Sequence, residues 1–336
     1  MFEPYYGFSA QPFQLSPDPA FFYGSRGHKR AFSYLQYGLY QGEGFITLTG
    51  EIGAGKTMLI RSLLQQLDSS KVVAAQLVST QLNADGLLLA VATALGISIR
   101  EQAKARILAE LEAYLTTLLT QGKRALLIVD EAQNLAPEAI EELRMLSNYQ
   151  IGNRALLQSF LVGQPELRDL MRSSSMTQLR QRVIAAYHLG PLDVDETRAY
   201  IEHRLKRVGW KGDPRFEDGV FPIVHRYTGG IPRRVNTLCT RALLGAYLSE
   251  RHVITVNELE AVISEFSEEF GEAMSAMPTA ADAQAPLADV IDDRAPASLL
   301  EKRILNIEKT MSVTLRLLRE LIRERQGNEA RWADKR

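Results

Sequence analysis

The sequence predicts an α/β domain with a parallel sheet, followed by a helical domain and a separate C-terminal helix. Three observations indicate this. Between residues 36 and 190, short apolar runs alternate with helical patterns, which is typical of a parallel sheet with helices on its faces. Between residues 191 and 271 the apolar spacing is helical throughout. Beyond an Ala-, Pro- and Asp-rich stretch, apolar residues repeat at alternating spacings of four and three, as in a coiled coil.

The composition is that of an ordinary globular protein. With 336 residues, of which 46% are apolar and 24% charged, the chain can bury a sizeable core and should hold about two domains. The net charge is -1 and there is no long basic run. Composition therefore neither requires nor excludes contact with nucleic acid or with an anionic membrane.

The sequence indicates a cytoplasmic protein without a membrane span. The first residues lack a basic region followed by an apolar run, so they are not a signal peptide. The longest apolar stretch, residues 86–99, is too short to cross a bilayer. Cys239 is the single cysteine and cannot form an internal disulfide, so we expect a small buried side chain in a reducing compartment.

Residues 1–35 are dense in aromatic residues and prolines. Prolines exclude a regular helix over this segment, and its apolar character argues against a free tail. We therefore predict an extended segment that packs on the α/β domain. A helical pattern begins within it and covers residues 24–40.

An apolar strand ending at Gly50 runs directly into the pattern Gly-x-x-x-x-Gly-Lys-Thr, and a helical pattern follows. This context indicates a Walker A motif, or P-loop, rather than a chance glycine-rich turn. The backbone N–H groups would bind a polyphosphate, Lys56 would reach the β- and γ-phosphates of ATP, and Thr57 would ligate Mg²⁺. Residues 21–28 would either line the adenine pocket or only seal the core. The predicted nucleotide-binding residues are Gly50, Glu51, Ile52, Gly53, Ala54, Gly55, Lys56, Thr57 and Met58.

A predicted strand at residues 72–78 and two predicted helices precede a second motif. The first helix is capped by Asn83 or Asp85 and ends near Leu95, and the second covers residues 101–120. The apolar run from Ala125 ends in Asp130 and Glu131, the form of a Walker B motif. Ligands of open α/β sheets lie beyond the carboxyl ends of the strands, so both acids are well placed. Asp130 would hold Mg²⁺ through water, and Glu131 would act as general base on the attacking water. The alternative is a solvated acidic loop.

Two further polar positions follow in the α/β domain. After a helix from Pro137 to about residue 149, a strand at residues 156–165 ends in Gln164, which would contact the γ-phosphate or its water, or only hydrogen-bond the turn. The helical stretch 176–183 contains Arg180 and Arg182, and a last strand covers residues 185–189. We favour Arg182 as a candidate finger for the γ-phosphate of a neighbouring subunit; the alternative is two solvated arginines.

The helical domain contains four predicted helices. They cover residues 195–208, 216–227, 232–248 and 256–270, and the second is stopped by two glycines at residues 229–230. Arg233 lies in the first turn of the third helix, where a γ-phosphate could draw the helical domain toward the α/β domain. The alternative is a surface arginine beside a tight turn.

The remaining segments are a linker at residues 272–297, a coiled-coil helix at residues 298–325 and a tail at residues 326–336. The helix would self-associate, bind a partner protein, or pack back on the helical domain.

These motifs, in this order, resemble the AAA+ ATPases. The opening Tyr5-Tyr6-Gly7-Phe8 and the strings at 163–167, 181–183 and 229–233 resemble more narrowly the ExeA-like ATPases of the general secretion pathway. Residues 22–31 and 41–46 are similar to the ATPases found with exosortase/PEP-CTERM systems, which accompany exopolysaccharide gene clusters in Gram-negative bacteria. By this resemblance Gln164 is sensor 1, Arg182 the arginine finger and Arg233 sensor 2.

The predicted function is Mg²⁺-dependent ATP hydrolysis that changes the shape of a homo-oligomer. By resemblance the protein would serve exopolysaccharide or PEP-CTERM protein export or sorting. It would lie in the cytoplasm, or at the inner membrane through a partner protein that binds residues 298–325. One alternative is a DNA-associated ATPase of the transposition-helper type, although the predicted helical domain has only a small basic cluster. A nucleotide-gated binding module with little turnover and a P-loop kinase are others. The basic cluster of the helical domain consists of Arg204, Lys206, Arg207 and Lys211.

Overall fold

The computed structural model describes residues 1–78, 82–99, 101 and 103–270, and side chains up to residue 268. The predicted linker, coiled-coil helix and tail lie outside these residues. None of the helices within the described ranges is long and apolar enough to cross a membrane.

Within the described part of the chain, the α/β domain contains a five-stranded parallel sheet. Across the sheet its strands lie in the order 72–78, 124–130, 157–163, 45–50 and 183–189. They end at one edge, where Gly50, Asp130 and Gly163 close three neighbouring strands. The predicted parallel sheet is confirmed. The strands are Phe45–Gly50 (β1), Val72–Val78 (β2), Arg124–Asp130 (β3), Leu157–Gly163 (β6) and Val183–Leu189 (β7), and a short antiparallel hairpin of Gln150–Ile151 (β4) and Arg154–Ala155 (β5) precedes β6.

Helices cover both faces of this sheet. Successive residues of β1 point to opposite faces, and Phe45 and Ile46 accordingly belong to different apolar cores. Of the two predicted caps, Asn83 caps its helix by accepting from the backbone N–H of Gly86, and Asp85 lies in the first turn. The helices of this domain are Arg26–Gln41 (α2), Lys56–Gln65 (α3), Ala84–Ala94 (α4), Lys104–Thr120 (α5), Pro137–Leu146 (α6), Pro165–Arg172 (α7) and Thr177–Arg180 (α8).

The C-terminal domain, here called the lid, is helical apart from one small strand pair. The prediction of a helix from Phe216 is wrong, because Arg215–Phe216 (β8) pairs in parallel with Val253–Ile254 (β9). Two-residue strands are too short to show an alternating pattern, which is why the sequence did not indicate them. The lid helices are Val194–Arg207 (α9), Val220–Thr228 (α10), Pro232–Leu248 (α11) and Val256–Phe270 (α12).

The prediction for residues 1–35 needs correction. Phe2–Tyr5 forms a one-turn helix (α1), and the first aromatic residues pack on the lid rather than on the α/β domain. Phe8 and Phe13 are buried in the lid core, and the backbone N–H of Ser9 donates to the carbonyl of Val208 at 2.9 Å. Since the lid helices expose an apolar surface to this segment, burial there removes its aromatic side chains from water. Only the part from about residue 22 onward packs on the sheet.

Candidate nucleotide-binding site

The P-loop connects β1 to α3 in backbone conformations that suit glycine. Gly53 and Gly55 have φ angles of 84° and 102°, a region that residues with a side chain rarely adopt. A Cβ atom on Gly53 would come within 2.3 Å of the Cβ of Arg233, and one on Gly55 within 2.7 Å of His28 Nε2. The loop therefore packs closely between α2 and the first turn of α11.

Lys56 begins α3 and is 6% exposed. Its ammonium group donates to the carbonyls of Gly50 at 2.6 Å and Glu51 at 3.0 Å. Burial lowers the pKa of Lys56, while the negative charges of Glu131 and Asp130 act in the opposite direction. A buried cation among backbone N–H groups suits a polyphosphate.

Thr57 and Asp130 meet at the edge of the sheet. The Thr57 hydroxyl donates to Asp130 Oδ2 at 3.3 Å, although the two residues are 73 positions apart. Burial raises the pKa of Asp130, and hydrogen bonds from the N–H of Glu131 and from Thr57 oppose the rise. A hydroxyl and a carboxylate oxygen are hard ligands of the kind that Mg²⁺ prefers, so these residues fit the ion.

Glu131 is held by two side-chain amides. Its Oε2 atom accepts from Gln133 Nε2 at 2.6 Å and from Gln164 Nε2 at 3.0 Å, while Gln133 Oε1 accepts from the backbone N–H of Gln164 at 3.0 Å. Burial acts to raise the pKa of Glu131, but the hydrogen bonds from the two amides and the positive charge of Lys56 together outweigh it, and the pKa is lowered. The carboxylate is thus ionised near neutral pH, with Oε2 occupied by both amides.

Gln133, which was not predicted as a site residue, joins Glu131 to the residue after β6. Glu131 itself has a left-handed backbone with φ 53°, and a 3₁₀ turn at Ala132–Asn134 follows it. This turn brings the Gln133 side chain back over the strand ends. A polar residue after a strand is common, so the sequence contained no signal for this contact.

A cavity of about 310 Å³ lies beside the P-loop. Its walls come from four parts of the chain: the loop with the start of α3, the segment from Gln14 to Tyr23 with His28, Glu131 after β3, and the lid side. The lid-side residues are Leu192, Tyr200, Arg204, Pro232, Arg233 and Asn236. Phe21, Phe22 and Tyr23 line the cavity and also pack on the two neighbouring cores, so the two alternatives for residues 21–28 are not exclusive.

Not all predicted nucleotide-binding residues reach the cavity. Those that line it are Ile52, Gly53, Gly55, Lys56, Thr57 and Met58. Gly50 and Glu51 instead direct carbonyls to Lys56, and Ala54 is buried with its carbonyl 3.1 Å from His28 Nε2. Arg233 lines the cavity, and its backbone N–H donates to the carbonyl of Gly53 at 3.2 Å.

The two arginines of residues 176–183 differ in their contacts. Arg180 donates to the carbonyls of Met171, Arg172 and Ser173, and so binds the C-terminal end of α7. Arg182 donates to Ser147 Oγ at 2.8 Å and directly precedes β7. It therefore lies at the amino ends of the parallel strands, opposite the P-loop, and does not line the cavity of its own chain.

A phosphate loop after one strand, acids at the end of another and a covering helical domain define a P-loop nucleotide-binding protein. A family model described as an AAA domain matches residues 39–171. General secretion pathway protein A of Aeromonas hydrophila is 38% identical over 268 residues, which cover 80% of this chain and 49% of that protein. The chain thus spans about half the length of this relative. It belongs to the AAA+ ATPases and, within them, to the ExeA-like family.

Solved structures show the same fold at low identity. The ORC2 protein of Aeropyrum pernix, in ADPNP-ADP complexes, is 19% identical with a TM-score of 0.58, over 76% of this chain and 72% of that one. Cdc6p of Pyrobaculum aerophilum is 18% identical with a TM-score of 0.57, over 76% and 70%. At such identity the likeness concerns the fold alone.

Proposed function

We propose that this protein hydrolyses ATP with the help of Mg²⁺. The observation that supports it best is the convergence of Thr57 and Asp130 at 3.3 Å beside Lys56 and an ionised Glu131. Lys56 would bind the β- and γ-phosphates, and Glu131 would take the proton of the attacking water. Bound Mg²⁺ would neutralise charge that develops on the phosphate oxygens. Gln164, which touches Glu131, would orient the same water or the γ-phosphate.

The proposal extends to an assembly of several copies. Arg182 lies at the opposite edge of the sheet from its own P-loop, so as an arginine finger it would contact the nucleotide of a neighbouring subunit. An arginine finger of this kind changes the rate about 10³- to 10⁵-fold. Arg233 would couple the phosphates to the lid, because its helix already contacts Gly53. Homo-oligomerisation would then switch hydrolysis on and transmit a change of shape.

For the cellular role we propose exopolysaccharide or PEP-CTERM protein export or sorting, in the cytoplasm or peripheral to the inner membrane. The support is the resemblance at residues 22–31 and 41–46, together with the relation to a secretion pathway protein. The partner would bind residues 298–325. The DNA-associated alternative loses support, because Arg204 is buried and Lys206 pairs with Glu202 at 3.3 Å, which leaves little of the predicted basic cluster.

A subunit-mixing experiment tests the proposal. Lys56→Ala should abolish most of the ATPase activity because the phosphates lose a contact in the variant's own site. Arg182→Ala should do so because the site of the neighbouring subunit loses its arginine finger. In a mixture, the intact Lys56 site of one variant meets the intact Arg182 of the other, so activity should return. Arg172→Ala, an exposed arginine on α7, is the control and should stay near the wild-type rate. A mixture no more active than its parts contradicts the action between subunits, and a wild-type chain that never hydrolyses ATP contradicts the proposed function.

The specific rate should also rise with protein concentration. A chain ending at Ala276, which keeps every residue that the structure describes, measures what residues 277–336 add to this dependence.

A further inference from the structure

Arg204 is a buried cation in the wall of the nucleotide cavity. It lies on α9 of the lid and is 5% exposed. Arginine is rarely buried to this extent without a carboxylate partner. Among the described residues, no carboxylate lies within ion-pair distance of its guanidinium. Asp18 of the same cavity contributes only a longer-range attraction, which opposes the lowering of the Arg204 pKa by burial.

Within the described chain, one buried donor of Arg204 has no acceptor. One Nη2 hydrogen bond goes to the carbonyl of Gln14 at 2.8 Å, whereas the Nε atom is buried with no partner. Guanidinium groups have five N–H donors. An unpaired buried donor is unfavourable, so an acceptor brought into the cavity would relieve it.

Aromatic rings surround this guanidinium. Its carbon lies 4.8 Å from the ring centroid of Phe21 and 5.7 Å from that of Tyr200. Tyr200 donates to Asn236 Oδ1 at 2.7 Å, and the Asn236 amide makes only a long contact of 3.5 Å to the Gln14 carbonyl. Flat apolar walls with a few polar donors suit a nucleobase better than a phosphate, for which Lys56 and Arg233 are already present.

We propose that Arg204 is a specificity-determining residue that donates to an acceptor atom of the nucleobase. Adenine offers ring nitrogens as acceptors, and Asn236 would provide a second polar contact from the same lid surface. This inference rests on the proposed function, because it assumes a nucleotide in the cavity. It adds that affinity for the base comes from the lid, and affinity for the phosphates from the P-loop.

The test compares ATP with inorganic triphosphate, which has no base, at one fixed Mg²⁺ concentration. In Arg204→Met the stem remains and the donors are lost. Loss of a hydrogen bond to a charged group should weaken ATP binding about 10- to 100-fold, with the affinity for triphosphate unchanged. Arg207→Met, an exposed neighbour on α9, is the control and should bind both ligands as the wild type does.

The alternative is that Arg204 only ties residues 14–21 to the lid. Arg204→Met would then have a lower melting temperature but an unchanged ratio of the two dissociation constants, and that result overturns the proposal. If Arg204→Met does not fold, Arg204→Lys is the second variant, because it keeps the charge and the aliphatic chain but loses the planar guanidinium donors. The ratio of the dissociation constants for ATP and triphosphate should then shift about threefold or more. A wild-type chain that binds neither ligand refutes the proposed function, whereas equal affinity for ATP and triphosphate refutes the role of Arg204 alone.

Discussion

Replacing Gln133 by methionine tests how the carboxylate of Glu131 is held. Methionine is similar in length but cannot donate the 2.6 Å hydrogen bond to Glu131 or accept the 3.0 Å bond from Gln164. A hydrogen bond to a charged group contributes about 1.5–3 kcal/mol. If that stabilisation orients the general base in the transition state, kcat should fall about 10- to 150-fold, since about 1.4 kcal/mol corresponds to a tenfold change in rate.

The assay is single-turnover ATP hydrolysis together with a separate titration of ATP affinity. Because Gln133 does not line the nucleotide cavity, the dissociation constant for ATP should change less than about twofold. Asn134→Ala, at the exposed next position, is the control. In a Glu131→Gln background, Gln133→Met should cause no further loss, because both changes act through the same carboxylate. An equal loss in both backgrounds, or an unchanged kcat in Gln133→Met, would refute the reasoning.

Three further predictions concern stability and can be checked by urea unfolding. Gly38→Ala places a Cβ within 2.2 Å of Ile46 Cδ1, and such overpacking should lower the free energy of unfolding by about 1–3 kcal/mol. Cys239→Ser places a polar hydroxyl in an apolar core where the thiol is 1% exposed, which should lower the free energy of unfolding by about 1–3 kcal/mol. Burial also raises the pKa of the Cys239 thiol, so thiol reagents should react only after unfolding. Burial lowers the pKa of His28, which therefore binds its proton less readily in the folded than in the unfolded chain. Stability should then fall as pH decreases from about 6.5 through the folded pKa, and His28→Gln should reduce this slope.

Much of the α/β domain could be predicted because its elements are long and locally encoded. The strands ending at Gly50 and Asp130 are rich in apolar residues, and they are buried on both faces of the sheet. The Walker motifs lie at the ends of those strands, so the predicted strands also placed Thr57 and Asp130, whose hydroxyl and carboxylate oxygens are 3.3 Å apart. The packing of Phe8 and Phe13 on the lid could not be predicted, because an apolar residue does not specify which of two apolar surfaces it will cover.

The burial of Arg204 could not be predicted from the sequence. Beside Lys206 and Arg207 it looks like one member of a basic surface cluster. On a helix, residues three and four apart share a face, so Arg204 shares one with the buried Tyr200 and also with the exposed Arg207. Tertiary packing makes the difference, because Arg204 contacts Phe21 and donates to the carbonyl of Gln14, whereas Arg207 is the last residue of α9. Gln133 is a similar case, because only the three-dimensional return of its side chain to Glu131 reveals the contact.

The two buried cations of the cavity imply different contributions to nucleotide binding. Lys56 already has two carbonyl acceptors in its own loop, so a polyphosphate must compete with bonds that exist, and its net gain is correspondingly small. Arg204 has a buried donor without an acceptor in the described chain, so a base that supplies one breaks no bond of that donor. The base end should therefore contribute more to affinity, whereas the phosphate end, through Lys56 and the contact of Arg233 with Gly53, should contribute more to the coupling between nucleotide and lid. Arg233→Ala should accordingly leave ATP affinity closer to the wild-type value than Arg204→Met does.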